Sequence, residues 1–302
     1  VNAYLRALRL ERWPRSLAIF SGCAVYVFLG KGEFDWAGWP ASAVRALAAF
    51  LLTWGISTAN YVINEIVDLA FDIHHPSKRL RPLVAGEIRK GPFAGLGLVL
   101  TVVCLGLAIA VFAVRFFLAL AGLLAAGIVY TVKPSRTKDI PFLDSISEAA
   151  NNPIRFLIGW YAIAPTGPFP PIAVLLSWWA FGNFLMVAKR LSEFRFLKEK
   201  AADYRTSQKR YTKNKLLAGM ILSAAVCLTA FLVFAGQARL SSFFLIAPFL
   251  VGFFLLIFRK TLREAEVMEE PEKLLGQPLF AVYTLLLLGM FVLAFFFDAA
   301  GR

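Results

Sequence analysis

Apolar positions along this chain gather in long runs. They neither alternate as in strands nor form the narrow stripes of helices packed in a soluble core. About 20 apolar residues, within a range of about 17–25, carry a helix across the hydrocarbon of a bilayer. Nine stretches approach that length: 14–30, 43–65, 92–113, 116–133, 141–164, 170–188, 215–236, 242–258 and 278–297. The first is short enough to lie tilted or partly at the interface, and the fifth, "PFLDSISEAANNPIRFLIGWYAIA", is the most polar. The pattern predicts an all-α polytopic membrane protein of about nine transmembrane helices. No linker or internal repeat divides residues 1–302, which read as a single domain.

The basic residues then orient the runs. Segments 1–15, 66–91, 133–140, 189–215 and 259–277 hold 26 of the 32 Lys and Arg. The segments on the other side hold four: Lys31, Arg115, Arg239 and Arg302. By the positive-inside rule the N-terminus is cytoplasmic and the C-terminus outside. That asymmetry accounts for a formal net charge of +13 without nucleic acid as a partner, and no base-stacking module is visible. The composition agrees, with 59% hydrophobic and 17% charged residues and a mean hydropathy of +0.67. The outer loops are short and the inner ones long and charged, so chemistry on a polar substrate belongs on the cytoplasmic side.

Cys23, Cys104 and Cys227 all sit inside apolar runs and read as packing residues. With only His74 and His75 to add imidazole and no Cys pair at close spacing, a zinc site has no support. The basic start "VNAYLRALRLERWPRS" followed by an apolar run resembles a secretory signal. It lacks a small-x-small cleavage site before a polar stretch and reads as a retained first helix. There is no P-loop, GxSxG or HExxH, which removes NTPase, serine-hydrolase and zincin readings.

The unusual feature is "NEIVDLAFD", residues 64–72, at the inner end of the second run. Asn64, Asp68 and Asp72 are spaced i, i+4, i+8 and share one helical face, drifting about 40° per step. Oxygen-bearing groups stacked that way repel unless a cation sits among them. Mg²⁺ fits, because it takes one or two protein carboxylates and completes its shell with water and substrate phosphates. Glu65 faces elsewhere. A solvated helix end is the plain alternative. Against it stands the next stretch, "HHPSKRLRP", where Lys78, Arg79 and Arg81 would bind the phosphate oxygens a metal leaves exposed.

Two further polar clusters flank inner loops. "YTVKPSRTKDIPFLD" brings Tyr130, Lys133, Arg136, Lys138, Asp139 and Asp144 together in sequence, and Arg155 lies deeper in the fifth run. An ionisable residue inside a span is a functional candidate; a structural pairing of Arg155 with Asp144 or Glu148 is the other reading. "MVAKRLSEFRFLKEK" ends the sixth run with Lys189, Arg190 and Glu193, which face a polar cavity or form helical ion pairs at i, i+3 and i, i+4. The basic run 198–215 reads as a solvated segment facing lipid headgroups.

"NEIVDLAFD", "HHPSKRLRP" and "YTVKPSRTKDIPFLD", in that order on a nine-run chain with its N-terminus inside, resemble the UbiA-type prenyltransferase superfamily. The resemblance covers roughly residues 1–215. It implies transmembrane helices around a central cavity open to the cytoplasm, and Mg²⁺-assisted displacement of diphosphate. "DIHHPSKRLRPLVAGEI" and "AKRLSEF" look like the decaprenyl-phosphate phosphoribosyltransferase branch. That branch implies a phosphoribosyl diphosphate donor and a polyprenyl phosphate acceptor. Asn64, Asp68 and Asp72 would then hold Mg²⁺ and the donor's diphosphate. Lys78, Arg79, Arg81, Lys138, Lys189, Arg190 and Glu193 would contact phosphates or ribose, with Tyr130, Asp144 and Arg155 as further substrate-binding candidates.

The chain departs from the prenyl-transferring pattern at "KRLSEF", where Glu193 stands without an aspartate until Asp203. It departs from the phosphoribosyl pattern at Arg15 and Ser16, where Lys and Asn are usual, and Glu65 replaces a common Asp. "KPSRTKDIPFLDSIS" is closer to prenyl-transferring relatives. A prenyl diphosphate donor with an aromatic or isoprenoid acceptor therefore stays open, as do a homo-oligomer and the acceptor's length. A bacterial or archaeal cytoplasmic membrane is the expected location.

Overall fold

A computed structural model describes residues 2–29, 37–73, 78–197, 206–264, 274 and 276–300. His74, His75, Lys198 and Asp203 lie outside them. The described residues are helical between turns, with no strand among them. They form two compact units, Val1–Pro170 with Ala202–Ser207 and Pro171–Ala201 with Gln208–Arg302.

The first unit holds α1 (Ala3–Ala7), a 3₁₀ segment Leu10–Ala18, α2 (Ile19–Leu29), α3 (Trp39–Asp72), α4 (Lys90–Val111), α5 (Val114–Thr131), α6 (Leu143–Ala149) and α7 (Asn151–Ile163). The second holds α8 (Ile172–Leu197), α9 (Lys213–Gln237), α10 (Ala247–Arg263) and α11 (Pro278–Ala300). Seven described helices are long and apolar enough to cross a membrane. Large apolar side chains stand exposed along their outer faces, such as Leu98, Val99 and Val102 on α4 and Leu285, Leu286 and Leu288 on α11. Hydrocarbon is the solvent such faces need.

The two remaining expected spans are broken. Run 14–30 begins in the 3₁₀ segment, which contains Pro14, and becomes α-helical only at Ile19. Run 141–164 is split between α6 and α7 at Ala150. Pro153 explains that break: its ring crowds the carbonyl of the residue four earlier, Ala149, where α6 stops.

At about 1.5 Å per residue, the 34 residues of α3 extend about 50 Å, more than the ~30 Å of hydrocarbon. Its last turns, which carry Asn64, Asp68 and Asp72, therefore have length to spare beyond the core. Close contacts fix the rest of the helix. Asn60 Nδ2 donates to the Leu123 carbonyl on α5 at 2.9 Å, and Arg45 Nε to the Ala162 carbonyl on α7 at 2.8 Å. On α7, Gly159 lies so near α2 that a Cβ there would sit 1.8 Å from the Ile19 carbonyl oxygen, and one on Gly22 2.0 Å from that of Phe156. Small residues allow this backbone approach. The three cysteines are buried and free, as packing residues should be.

In the second unit α8 and α9 are joined by Asn183 Nδ2 donating to Ser223 Oγ at 2.9 Å and by the Ser177 hydroxyl donating to the Cys227 carbonyl at 3.2 Å. Phe184 meets Phe254 of α10 edge-on at 4.7 Å.

Gly159→Ala should destabilise the protein by about 1–3 kcal/mol, the usual cost of overpacking, read as a lower Tm in detergent. Gly106→Ala, where a Cβ meets nothing within 4 Å, should not. Equal melting of the two variants would refute the α2–α7 contact.

Candidate active site

The inner end of α3 meets the loop that follows α5. Thr131 Oγ1 donates to Asn64 Oδ1 at 3.2 Å, and Lys138 Nζ approaches the same oxygen at 3.4 Å. Lys138 also forms an ion pair with Asp68 Oδ1, which takes a second cation, Arg136 Nη2, at 3.1 Å. Asp72, one turn further, is buried and ion-paired with Arg81.

Both loops are anchored so that these cations point back. Leu83 and Ile88, just beyond Arg81, are buried in a cluster with Ala7, Leu8, Val62 and Phe93. Gly86, at φ 76°, supplies the left-handed turn between them. In the other loop the 3₁₀ turn Thr137–Asp139 buries Thr137 and Lys138, and the Thr137 and Ser147 hydroxyls share a hydrogen bond of 2.8 Å.

Arg136 is the residue that sequence reasoning noted in its cluster but did not place among the site residues. It is 7% exposed, and its backbone adopts φ 28°, ψ 56°. A non-glycine residue held there stores on the order of 1–3 kcal/mol. What holds it is a full set of contacts. Nε donates to Asp139 Oδ2 at 2.7 Å, Nη1 to the Thr131 carbonyl at 3.1 Å and Nη2 to Asp68. The guanidinium lies 4.8 Å above the Phe71 ring. The only signal in the sequence was its place between Lys133 and Lys138 beside Asp139.

The other expected residues divide. Lys78 is half-buried and Arg79 exposed, on the 3₁₀ turn Lys78–Leu80 before Arg81. Tyr130 OH donates to Glu148 Oε2 at 2.9 Å, tying α5 to α6. Asp144 is fully buried and accepts from the Ser145 amide at 2.8 Å and Ser207 Oγ at 3.2 Å, which makes it an anchor of the backbone. Arg155 pairs with neither Asp144 nor Glu148; its Nη2 reaches Ser57 Oγ at 3.4 Å.

In the second unit Arg190 is wholly buried. It donates to both oxygens of Glu193, at 3.1 and 3.0 Å, so the i, i+3 pairing is the one realised for Arg190. Lys189 beside it is half-buried. Gln208 Nε2 also donates to Glu193 Oε2, at 3.2 Å. Within the described part of the run, 206–215, this corrects the reading as solvated: Lys209 and Arg210 are exposed, but Ser207, Gln208 and Tyr211 are buried; 198–205 lie outside the described residues. The uncharged polar pair inside the basic run was the available signal.

Among the described residues no group of three or more His, Cys, Asp or Glu is gathered as a metal cage. The donors at the α3 end fit a different kind of site. Asp68 and Asp72 are hard oxygen ligands one turn apart, with the Asn64 amide one turn before. Asp68 Oδ2 and Asp72 Oδ1 accept no hydrogen bond among the described residues. Two carboxylates with a free oxygen each suit Mg²⁺, which keeps water and phosphate in its shell. The linked charges balance, three carboxylates (Asp68, Asp72, Asp139) against Arg81, Arg136 and Lys138. A divalent ion would make the cluster cationic and so receptive to phosphate.

Behind this face lies a second basic group. Arg9 sits 5.4 Å over the Tyr61 ring, and Arg15 Nη1 reaches Tyr61 OH at 3.4 Å. Burial, then the charges of Arg12 and Arg81, push Arg9 down to about 10, still protonated at neutral pH. Glu65 is 1% exposed, with Arg81 and Arg9 as its cationic neighbours.

Apolar spanning helices with a face of oxygen donors and cations gathered at one helix end define an integral membrane protein with a charged cluster at the end of α3. The UbiA prenyltransferase family model matches residues 18–285. The chain belongs to that family and is one of its transferases. It is 27% identical over 235 residues to the decaprenyl-phosphate phosphoribosyltransferase of Mycolicibacterium smegmatis, covering 76% of this chain and 69% of that one. It is 25% identical over 231 residues to the protein of the same name in Mycobacterium tuberculosis, covering 74% and 70%. The fold matches a UbiA homolog from Archaeoglobus fulgidus bound to DMAPP and Mg²⁺, with a TM-score of 0.70 at 22% identity, over 97% of this chain and 98% of that one. It also matches an apo UbiA homolog from Aeropyrum pernix K1, with a TM-score of 0.65 at 15% identity, over 93% and 98%.

Arg136→Lys keeps the charge but loses the planar fork, so it cannot serve Asp139, the Thr131 carbonyl and Asp68 together. We expect a loss of about 1.5–3 kcal/mol, seen as a lower Tm, with Arg79→Lys on the exposed turn as a neutral control. An Arg136→Lys protein that melts with the wild type would disprove the clamp.

Proposed function

We propose that this transferase moves a 5-phosphoribosyl group from phosphoribosyl diphosphate to a polyprenyl phosphate at the cytoplasmic face of the membrane. The observation that carries the reading is the meeting of Asn64, Asp68 and Asp72 with Arg81, Arg136 and Lys138 at the end of α3. The donor's identity is supported by the relatives' shared name and by the motifs "DIHHPSKRLRPLVAGEI" and "AKRLSEF". The family match spans both units, which supports residues 1–302 acting as one transferase domain.

Asn64, Asp68 and Asp72 would hold Mg²⁺, which when bound supplies positive charge to the leaving diphosphate. Lys78, Arg79, Arg81 and Lys138 bind the diphosphate oxygens that remain. In the reaction the bond between ribose C1 and the diphosphate oxygen breaks, and its electron pair leaves with diphosphate. An oxygen of the lipid phosphate forms the new bond to C1. No further reactant is needed. The protein contributes fixed cations where negative charge grows and a fixed approach for the two partners. The resemblance adds Lys189, Arg190 and Glu193 as phosphate or ribose contacts. The charge asymmetry supports a cytoplasmic N-terminus and an outward C-terminus in a bacterial or archaeal membrane.

The loop "KPSRTKDIPFLDSIS" favours a second reading, a prenyl diphosphate donor ionised by the same acidic face. One experiment separates them. Membranes containing the protein are given labelled phosphoribosyl diphosphate or labelled prenyl diphosphate with Mg²⁺ and a lipid phosphate, and release of diphosphate is followed. Release from the phosphoribosyl donor alone is expected; release from the prenyl donor alone overturns the proposal. Asp68→Asn and Asp72→Asn should each reduce turnover at least about 100-fold, and chelation of Mg²⁺ should do the same, in line with losing a main electrostatic contribution. Wild-type turnover in either variant would end the metal assignment.

A further inference from the structure

Arg155 lies on α7 of the first unit and has no carboxylate partner among the described residues. Its one hydrogen bond among the described residues is the long contact to Ser57 Oγ at 3.4 Å, and its Nε is shut off from solvent without an acceptor. The charged and ionisable groups that act on it are Tyr61 and Arg15, a phenol and a second cation. Neither Glu148 nor Asp144 pairs with it: Glu148 receives Tyr130, and Asp144 receives Ser145 and Ser207. A guanidinium does not give up its proton, and a charge buried without a partner is costly. Ser16, beside Arg15, and Thr58, beside Ser57, also bury hydroxyl oxygens with no hydrogen-bond partner. Two cations, Arg15 and Arg155, therefore come from the 3₁₀ segment and α7, with the Ser57 hydroxyl of α3 between these elements.

We infer that this junction is an anion subsite separate from the acidic face, in which Arg155 and Arg15 bind a phosphate monoester carried by the lipid acceptor. This rests on the proposed function to the extent that the acceptor is a lipid phosphate. The depth of the site selects the source. Ser57 precedes Asn64 by seven residues, so it lies about 10 Å back along α3 toward the bilayer interior. A phosphate tethered to a lipid reaches that level from the bilayer, whereas a donor held by its diphosphate at Asp68 and Asp72 enters from the water. Arg155 supplies a planar fork suited to two phosphate oxygens.

The test measures binding to the full-length protein in nanodiscs, with four probes: farnesyl phosphate, farnesol, inorganic phosphate, and phosphoribosyl diphosphate with Mg²⁺. The wild type should bind farnesyl phosphate well above farnesol and inorganic phosphate. Arg155→Gln should weaken farnesyl phosphate about 10–100-fold, the usual range for a lost charged hydrogen bond or two, and leave phosphoribosyl diphosphate within about 2-fold. Asp68→Asn should do the reverse. If Arg155→Gln fails to fold, Arg15→Gln and Arg155→Lys carry the same expectation, with Lys retaining part of the affinity. Unchanged farnesyl phosphate binding in the folded variants overturns the inference and leaves the donor assignment standing. Selective loss of phosphoribosyl diphosphate overturns it by giving Arg155 to the donor, and equal binding of inorganic phosphate overturns the lipid source. Arg155-dependent binding of farnesyl phosphate in a protein that ignores phosphoribosyl diphosphate keeps the subsite and refutes the donor.

Discussion

Asp68 is the joint on which the candidate site depends. One of its oxygens takes two cations from the loop after α5, Lys138 and Arg136, and thereby fastens that loop to the end of α3. All three side chains are largely withdrawn from water. An exposed pair of this kind contributes between nothing and about 1 kcal/mol. A buried one costs several kcal/mol per ion to desolvate, so its geometry must be close to ideal and its remaining hydrogen bonds satisfied. Arg136 meets that condition through Asp139, the Thr131 carbonyl and the Phe71 ring, and the strained backbone at φ 28° is held by the same contacts. The outcome is a carboxylate whose orientation is set before any ligand arrives, with its second oxygen left over. Preset orientation of this kind is what distinguishes a site from a mere accumulation of charge.

The joint works because α3 itself cannot shift. Hydrophobic burial gives little discrimination between helices in lipid, so contacts along α3 must be specific. Asn60 Nδ2 and Arg45 Nε both donate to backbone carbonyls of neighbouring helices, which ties α3 to α5 and α7. The glycine contacts bring α2 against α7, so that Arg155 and the 3₁₀ segment share one junction with α3. Packing and site are in this sense one arrangement: the same close approaches that exclude lipid also position the guanidinium groups.

Much of this was readable from spacing. Long apolar runs announce spanning helices, and i, i+4, i+8 oxygens announce one face, because a regular helix converts sequence distance into direction. The lost information lies where the helix is interrupted. Pro153 and Pro14 break two of the nine expected spans, and hydropathy averaged over a run does not register a single ring clash. Arg136 takes its role from a left-handed backbone that its own sequence does not encode. Asp144 reads as a substrate ligand beside Lys138, yet its oxygens serve Ser145 and Ser207, the latter some sixty residues on. Gln208 was hidden by the basic residues around it, since a charge run describes an average and Gln208 is an exception.

The order of polar groups along α3 then has a physical logic. Near its outer end, Arg45 meets a carbonyl. At its middle, Asn60 meets another carbonyl and Ser57 meets Arg155. At its inner end, Asn64, Asp68 and Asp72 meet three cations. Self-energy rises steeply with depth in hydrocarbon, so paired charges are kept for the last turns of α3, where Asp68 and Asp72 meet their cations. Arg155 breaks that order: among the described residues its one hydrogen bond is to the Ser57 hydroxyl. Among the described residues no carboxylate pairs with Arg155, and that is why an anion from outside is the partner proposed for it.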